Sequence, residues 1–271
     1  MAKYNDIDKK NWRDYADIIT DSLWLIDRRD KTGAHDGSYH GNFVPQIPHQ
    51  LFTRYTKRGD WILDGFMGSG TSLIEAQRMG RNSIGIELQQ SVADGARRRI
   101  ESEGIEGLRA EVLIGDSRSI DLRAELDRLG IDGVQFVILH PPYWDIISFS
   151  DSTDDLSNAA TLDEFLQSFG RVIDNTTSVL ERERYCALVI GDKYSGGSVI
   201  PLGFECMNLF LERNFLLKGI VVKNVGETKG KAHDQNLWRY RALQGGFYVF
   251  KHEYIFVFQK KNPRGRQLKF N

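Results

Sequence analysis

The sequence predicts an α/β protein with a doubly wound, mostly parallel sheet. Strand-sized apolar runs alternate with helix-length amphipathic stretches, which is the order that strand-helix-strand units produce. The run Val134–Leu139 is almost entirely apolar, as expected of a strand that is covered on both faces. Because such sheets bind ligands beyond the carboxyl ends of their strands, the residues that follow each apolar run are the candidates for a site.

The expected elements follow from local periodicity. Short apolar runs that end at polar or glycine residues predict strands at 60–64, 83–88, 111–114, 134–139, 185–190, 215–225 and 254–259. Amphipathic spacing predicts helices at 71–79, 89–102, 161–180 and 201–213.

Composition excludes several classes of protein. The formal charge is −1, so the chain is no polycation, and contact with a nucleic acid must come from a local patch. Two cysteines, Cys186 and Cys206, are too few for a disulfide scaffold or a four-cysteine zinc site, and we expect a cytoplasmic protein. No apolar run approaches about 18 residues, and no apolar leader opens the sequence, so neither a membrane partner nor a targeting signal is expected.

A glycine turn between the first predicted strand and helix is a candidate ligand loop. Glycines allow close backbone approach, and the helix N-terminus behind them favours an anionic group. The loop residues assigned to a cofactor are Asp64, Phe66, Gly68, Ser69, Gly70 and Thr71. It has neither the Walker A pattern nor the dinucleotide glycine spacing.

Acidic residues end the next two strands. Glu87, 23 residues after Asp64, has the position and the chemistry to accept both hydroxyls of a ribose, and Leu88 follows it. Asp116 could accept from an adenine amino group or simply cap a helix. An adenosine ligand without phosphates, such as S-adenosylmethionine, fits these features best.

The tetrapeptide His140-Pro141-Pro142-Tyr143 follows the buried strand at 134–139. Two prolines fix a rigid turn and remove two backbone donors, which leaves carbonyl acceptors at the ligand edge of the sheet. Tyr143 and the next residue, Trp144, offer flat faces on which a planar base could stack. We therefore assign the four tetrapeptide residues to catalysis.

As a set, these motifs resemble the amino-methyltransferase family of DNA enzymes, which methylate adenine N6 or cytosine N4. The matching segments are DGFMGSGTSLIEA, IGIEL, GD at 115–116 and HPPYW. The segment 39–48 resembles the family motif that closes over the methionine moiety, which adds Phe43 and Pro45 to the cofactor residues. The resemblance implies a seven-stranded, Rossmann-like class I methyltransferase fold and transfer of a methyl group from S-adenosylmethionine to a flipped base.

Three departures from the family pattern bear on function. Gly65 stands where the family usually has proline, and His140 stands where it has Asp, Asn or Ser. The usual large insert for target recognition is missing. Trp144 favours cytosine N4 over adenine N6, since the cytosine enzymes often place an aromatic residue there.

A basic, aromatic stretch over 223–241 is interpreted as a DNA-binding loop. Its assigned residues, with Trp144 as a base-stacking partner, are Lys223, Lys229, Lys231, Arg239 and Arg241. No metal ion is expected, because the histidine spacings match no zinc pattern. A homodimer and a cognate restriction enzyme stay open as partners.

We expect an N-terminal extension at 1–38, a methyltransferase domain at 39–260 and a basic tail at 261–271. The cofactor half of the domain spans about 39–130 and the catalytic half about 131–260. The alternatives are an RNA or protein methyltransferase and a non-catalytic accessory subunit that binds cofactor or DNA.

Overall fold

The computed structural model describes residues 4–225 and 235–261. Its main sheet has eight strands in the order β1-β9-β10-β6-β5-β2-β3-β4, and β7 and β8 form a separate hairpin. The strands are β1 Leu23–Trp24, β2 Trp61–Asp64, β3 Asn82–Glu87, β4 Ala110–Ile114, β5 Val134–Leu139, β6 Leu180–Ile190, β7 Lys193–Ser195, β8 Ser198–Ile200, β9 Phe215–Asn224 and β10 His252–Lys260. Within the main sheet, only β10 runs antiparallel to its neighbours.

Helices cover both faces of this sheet. They are α1 Gln46–Tyr55, α2 Thr71–Arg78, α3 Gln90–Ser102, α4 Leu122–Leu129, α5 Leu162–Ser178, α6 Leu202–Glu212 and α7 Gln235–Gly245. The helices α4, α5 and α6 share one apolar cluster with the sheet, whereas α1 packs in a second cluster against alternate residues of the same strands. Phe136 and Val137, neighbours on β5, fall in different clusters, as alternation along a strand requires.

All seven predicted strands and all four predicted helices are confirmed, with shifted ends. The predicted doubly wound, mostly parallel sheet is confirmed, but the expected count of seven strands is corrected to eight. The extra strand, β1, lies in the expected N-terminal extension and pairs in parallel with β9 through only two residues, Leu23 and Trp24. Two residues are too few to show an alternating pattern, so this strand could not be predicted from periodicity.

The segment before residue 39 packs closely on the rest of the chain. Trp24 is buried in the cluster that α1 shares with the sheet. The Arg29 guanidinium donates to the carbonyls of Asn42 and Phe43, at 3.2 and 2.8 Å. Across the described ranges, every helix is too short or too polar to cross a bilayer.

Candidate functional site

A cavity of about 350 Å³ opens at the carboxyl ends of β2, β3 and β5. This is the edge at which parallel α/β sheets hold ligands, and the volume is typical of a small-molecule site. The predicted residues that line it are Phe43, Phe66, Gly68, Glu87, Leu88, Asp116, His140, Pro141, Pro142, Tyr143 and Lys223. One cavity therefore brings together the first part of the glycine loop, the acidic strand ends and the tetrapeptide.

The conformation of the glycine loop is fixed by left-handed glycine residues and by hydrogen bonds to Asn42. Gly68 and Gly70 have φ values of +50° and +86°, which strongly favour glycine. A Cβ on Gly68 would lie 2.9 Å from the Tyr39 ring, so a side chain there would collide with the cavity wall. The Asn42 amide donates to Ser69 Oγ and accepts from Thr71 Oγ1, both at 2.7 Å.

Four predicted cofactor residues lie behind the cavity wall rather than in it. Ser69, Gly70 and Thr71 form the start of α2, and their hydrogen bonds fix the loop. Pro45 precedes the first residue of α1. Their positions support the shape of the site, and none of the four lines the cavity.

Asp64 is corrected from a cofactor ligand to a loop anchor. Its side chain is buried, with 1% of its surface exposed. One carboxylate oxygen accepts the Phe66 N–H at 2.9 Å, and the other accepts the Ser72 hydroxyl. Burial raises the pKa of Asp64 to about 6 despite these two hydrogen bonds. The strand end turns this carboxylate inward, which the sequence position alone did not reveal.

We expect the Asp64→Ala variant to lose stability by about 1–3 kcal/mol, because two buried donors lose their acceptor. Chemical denaturation at pH 7 measures the loss. The Asp64→Asn variant tests the charge separately. Burial raises the pKa of Asp64 above its value in the unfolded chain. As pH falls from 7 to 5, the folded protein therefore takes up a proton that the unfolded chain does not, and the free energy of unfolding rises. Wild type will therefore gain stability relative to Asp64→Asn over that window. A constant difference would contradict a buried, charged Asp64.

Glu87 and Asp116 differ in how much of their hydrogen-bonding capacity is used. Glu87 accepts the Gln89 N–H at 2.9 Å through Oε1 and lines the cavity, where burial raises the pKa of its carboxyl. Asp116 accepts Arg118 Nε at 2.8 Å, and the same guanidinium reaches Asp154 at 2.8 Å. Glu87 is therefore the better placed acceptor for ligand hydroxyls.

The tetrapeptide forms one wall of the cavity. The His140 ring lies 5.1 Å from the Phe43 ring and 5.7 Å from the Tyr143 ring, measured between centroids. A Cβ on Gly191, which follows β6, would come within 2.9 Å of the Tyr143 ring, so glycine makes room for that ring. Burial lowers the pKa of His140 to about 4, with Lys223 adding to the effect and Glu253 opposing it. The imidazole is neutral at pH 7.

Trp144 is corrected from a base-stacking residue to a structural one. Its Nε1–H donates to the carbonyl of Ala159 at 2.8 Å, and Lys193 Nζ lies 4.0 Å from its ring centre. Lys193 also pairs with Asp145. The Trp144 ring therefore packs against the core beside the cavity and does not line the cavity.

The basic stretch is not the single loop that the sequence suggested. Lys223 lies on β9, is only 4% exposed and donates to Glu253 Oε1 at 2.9 Å, so its assignment to a DNA phosphate is corrected. Arg239 and Arg241 lie on α7 instead of a loop. Lys229 and Lys231 lie outside the described residues.

Glu253 is the site residue that sequence reasoning missed. It is buried, lines the cavity and accepts the Tyr143 hydroxyl at 2.9 Å through Oε2. A signal was present, because alternation along β10 puts residue 253 on the same side as the buried Ile255 and Val257. An acidic residue at an inward position of a strand is a marker of function or of a buried ion pair.

Two histidines outside the tetrapeptide, His35 and His49, form a separate polar cluster. Glu75 on α2 accepts from His35 at 3.0 Å and from His49 at 2.9 Å, and His49 also meets Asp17. These contacts hold the pKa of Glu75 at about 2 and raise the pKa of His49. Among the described residues, no group of three potential ligands has the arrangement of a metal site.

The donor set fits an adenosyl ligand that carries an amino acid tail. Glu87 can accept from ribose hydroxyls, the wall at Leu88 is apolar, and the loop at Gly68 has room for no side chain but admits a ligand. No described lysine or arginine of the cavity is free for a phosphate, since Lys223 is paired with Glu253. The site therefore suits a nucleoside ligand without phosphates better than a nucleotide.

The known proteins that this chain resembles are methyltransferases. The model of a family described as DNA methylase matches residues 2–98. The chain is 36% identical over 87 residues to the type II methyltransferase M.MjaII of Methanocaldococcus jannaschii, a match that covers 30% of this chain and 16% of that protein. It is 30% identical over 131 residues to the tRNA (guanine(10)-N2)-dimethyltransferase of Methanothermobacter thermautotrophicus, covering 48% and 35%.

The chain thus matches between about a sixth and a third of the length of these two relatives. Among solved structures, a SAM-dependent methyltransferase from Methanosarcina mazei superposes with a TM-score of 0.50 at 15% identity. That match covers 81% of this chain and 99% of the other, and it supports the fold.

Proposed function

We propose that this chain belongs to the DNA amino-methyltransferase family and transfers a methyl group from S-adenosylmethionine to an exocyclic amino group of a DNA base. The observation that carries the proposal is the single cavity shared by Glu87 and the tetrapeptide beginning at His140. Glu87 suits the ribose of the adenosyl ligand, and the tetrapeptide suits a flipped base. We place cytosine N4 ahead of adenine N6, because Trp144 follows the tetrapeptide.

In this proposal the cofactor, when bound, supplies a methyl group on a sulfonium sulfur, which becomes a neutral thioether, while the methylated base nitrogen releases one proton to solvent. The chain's own residues must then make the base nitrogen nucleophilic and align it. Neutral His140 and the Pro141 carbonyl can accept from the amino group, which favours a tetrahedral nitrogen with an available lone pair. The Tyr143 ring supplies a flat surface for the base, and fixed alignment of the reacting atoms supplies much of the rate.

We further propose that α7 and the residues after it form the DNA-binding surface. They lie in the connection between β9 and β10, whose ends carry Lys223 and Glu253 at the cavity. The segment 235–251 contains Arg239, Arg241 and Lys251 and no acidic residue. Large apolar side chains are exposed there, with Tyr240 at 60% and Tyr248 at 90%, which suits stacking on bases or sugars.

Replacing both Arg239 and Arg241 by alanine will weaken DNA binding and make it less sensitive to salt. If each contacts one phosphate, the slope of log affinity against log salt will fall by about 0.9 per lost contact. Fluorescence anisotropy between 50 and 200 mM salt measures the slope. The matched control is Arg123→Ala with Arg128→Ala on α4, the helix that connects β4 to β5. An unchanged slope in the α7 variant, or an equal fall in the control, contradicts this surface.

The experiment that tests the main proposal is transfer of a labelled methyl group to unmethylated genomic DNA, followed by mass spectrometry of the digested nucleosides. We expect N4-methylcytosine, and N6-methyladenine alone would reverse the choice of base. A His140→Ala sample prepared in parallel excludes activity from a contaminating enzyme. No transfer to DNA by the wild-type chain contradicts the proposal.

RNA is the second candidate substrate. The match to a tRNA guanine-N2 dimethyltransferase is the observation that favours it, since it spans more of this chain than the match to M.MjaII. Guanine N2 is also an exocyclic amino group, so the same wall could serve it. Total tRNA as a parallel substrate separates the two, because label in tRNA alone supports this candidate.

A further inference from the structure

We propose that Glu253 and Lys223 fix the tautomer of His140, with the proton on Nε2 and with Nδ1 as the bare, accepting nitrogen. The two residues act on His140 through Tyr143, so they are positioning residues. The inference deepens the proposed function, because an accepting nitrogen is what a base amino group requires. It rests on four side chains that line the same cavity.

The direction of each hydrogen bond follows from the chemistry of its end members. The Lys223 ammonium can only donate, and it donates to Glu253 Oε1 at 2.9 Å. The ionised Glu253 carboxylate can only accept, so the Tyr143 hydroxyl gives its single proton to Oε2, at 2.9 Å. The Tyr143 oxygen is then limited to accepting from any further partner.

That further partner is His140 Nε2, which lies 3.3 Å from the Tyr143 oxygen. Because the oxygen has no second proton to give, Nε2 must carry the proton of this contact. A neutral imidazole has one proton, so Nδ1 is left unprotonated. Among the described residues, the hydrogen bond of the His140 ring is made by Nε2, and His140 lines the cavity, so we assign Nδ1 to the substrate.

Packing holds this chain of contacts in place. Lys223 and Glu253 are directly opposite each other on β9 and β10, and both are buried. Lys223 also donates to the Asn224 carbonyl at 2.7 Å, so its ammonium is anchored twice. The fixed Lys223 ammonium donates to one Glu253 oxygen and the Tyr143 hydroxyl donates to the other, and these two contacts set the direction of the later hydrogen bond to His140.

The Glu253→Gln variant reverses the predicted direction with little change of shape. Because Lys223 can only donate, it will hold the Gln carbonyl oxygen, which turns the amide NH₂ toward Tyr143. The Tyr143 oxygen then accepts from Gln, and its hydroxyl donates to His140 Nε2. The imidazole proton moves to Nδ1, and the accepting nitrogen is lost to the substrate. We expect single-turnover methyl transfer to fall about 100-fold or more, with unchanged affinity for S-adenosylmethionine.

The direct test is a long-range proton–nitrogen correlation spectrum of the ¹⁵N-histidine-labelled full chain at pH 7, with His140 assigned through the His140→Asn variant. We expect the proton on Nε2 in wild type, on Nδ1 in Glu253→Gln, and on Nε2 in the exposed control Glu212→Gln. A proton on Nδ1 in wild type, or an unchanged tautomer in Glu253→Gln, overturns the proposal.

A second variant, Tyr143→Phe, tests the proposal if Glu253→Gln does not fold. Tyr143→Phe removes the accepting oxygen, so we expect His140 to populate both tautomers, and a pure Nε2–H form would overturn the proposal. The spectrum is independent of catalysis. If the chain methylates no DNA but the tautomers behave as expected, the proposed function fails while this inference holds.

Discussion

Methyl transfer by the His140→Ala variant will fall by about 10²–10⁴-fold relative to wild type, because the target amino group loses a positioned acceptor. The His140→Asn variant will keep part of the activity, since its amide oxygen also accepts. Single-turnover rates with saturating cofactor measure both effects. Equal activity of the alanine and wild-type chains would remove His140 from the reaction.

The pH dependence of wild type and His140→Asn distinguishes the pKa of an ordinary histidine from the lowered pKa of His140 in the structure. An ordinary histidine predicts that activity falls between about pH 6 and 7. In the structure, burial and the nearby Lys223 lower the pKa of His140 to about 4, although Glu253 opposes them. Because the imidazole stays neutral above that pH, its acid limb will lie near pH 4. A limb near pH 6.5 that disappears in His140→Asn would show that the imidazole is solvated.

The second large effect is expected at Glu87. The Glu87→Ala variant will bind S-adenosylmethionine about 10- to 100-fold more weakly, because charge-assisted hydrogen bonds of roughly 1.5–3 kcal/mol are lost. Isothermal titration calorimetry measures the affinity. The exposed Glu101→Ala variant on α3 is the control, with wild-type affinity expected.

Protonation of Glu87 adds a second readout. Burial raises the pKa of this carboxyl, and a protonated Glu87 can no longer accept two hydroxyl protons as a carboxylate. Wild-type affinity will therefore decline as pH falls, and the decline will be absent in Glu87→Gln. If the glutamine variant kept both the wild-type affinity and its pH dependence, the ribose would lie elsewhere.

The fold was predictable because its strongest signals are local. The apolar run at 134–139 and the glycine loop place a strand and a strand-to-helix turn without any knowledge of distant contacts. The helix α7 was missed because its apolar and basic residues do not segregate to one face, so periodicity gave no helical pattern. Strand β1 depends on its long-range partner, β9.

At the site, residue types were predictable and side-chain directions were not. Glu87 and the tetrapeptide at 140–143 reach the cavity as expected. Asp64 stands at an equivalent strand end but turns into the core, where its carboxylate accepts the Phe66 N–H and the Ser72 hydroxyl. The pairing of Lys223 with Glu253 joins positions 30 residues apart, and only the register of β9 and β10 reveals it.

The connection between β9 and β10 leaves the sheet and returns to it at a single point. Asn224 pairs with His252, and the Val225 N–H donates to the Lys251 carbonyl at 2.8 Å. A segment whose two ends are joined in this way can be exchanged without altering the register of the strands that hold Lys223 and Glu253. The segment between Asn224 and His252 can therefore vary in sequence while Lys223 and Glu253 stay in place. If the proposed DNA-binding surface is right, a chimera that carries the corresponding segment of a related methyltransferase between these two positions will take its target preference from the donor of the segment.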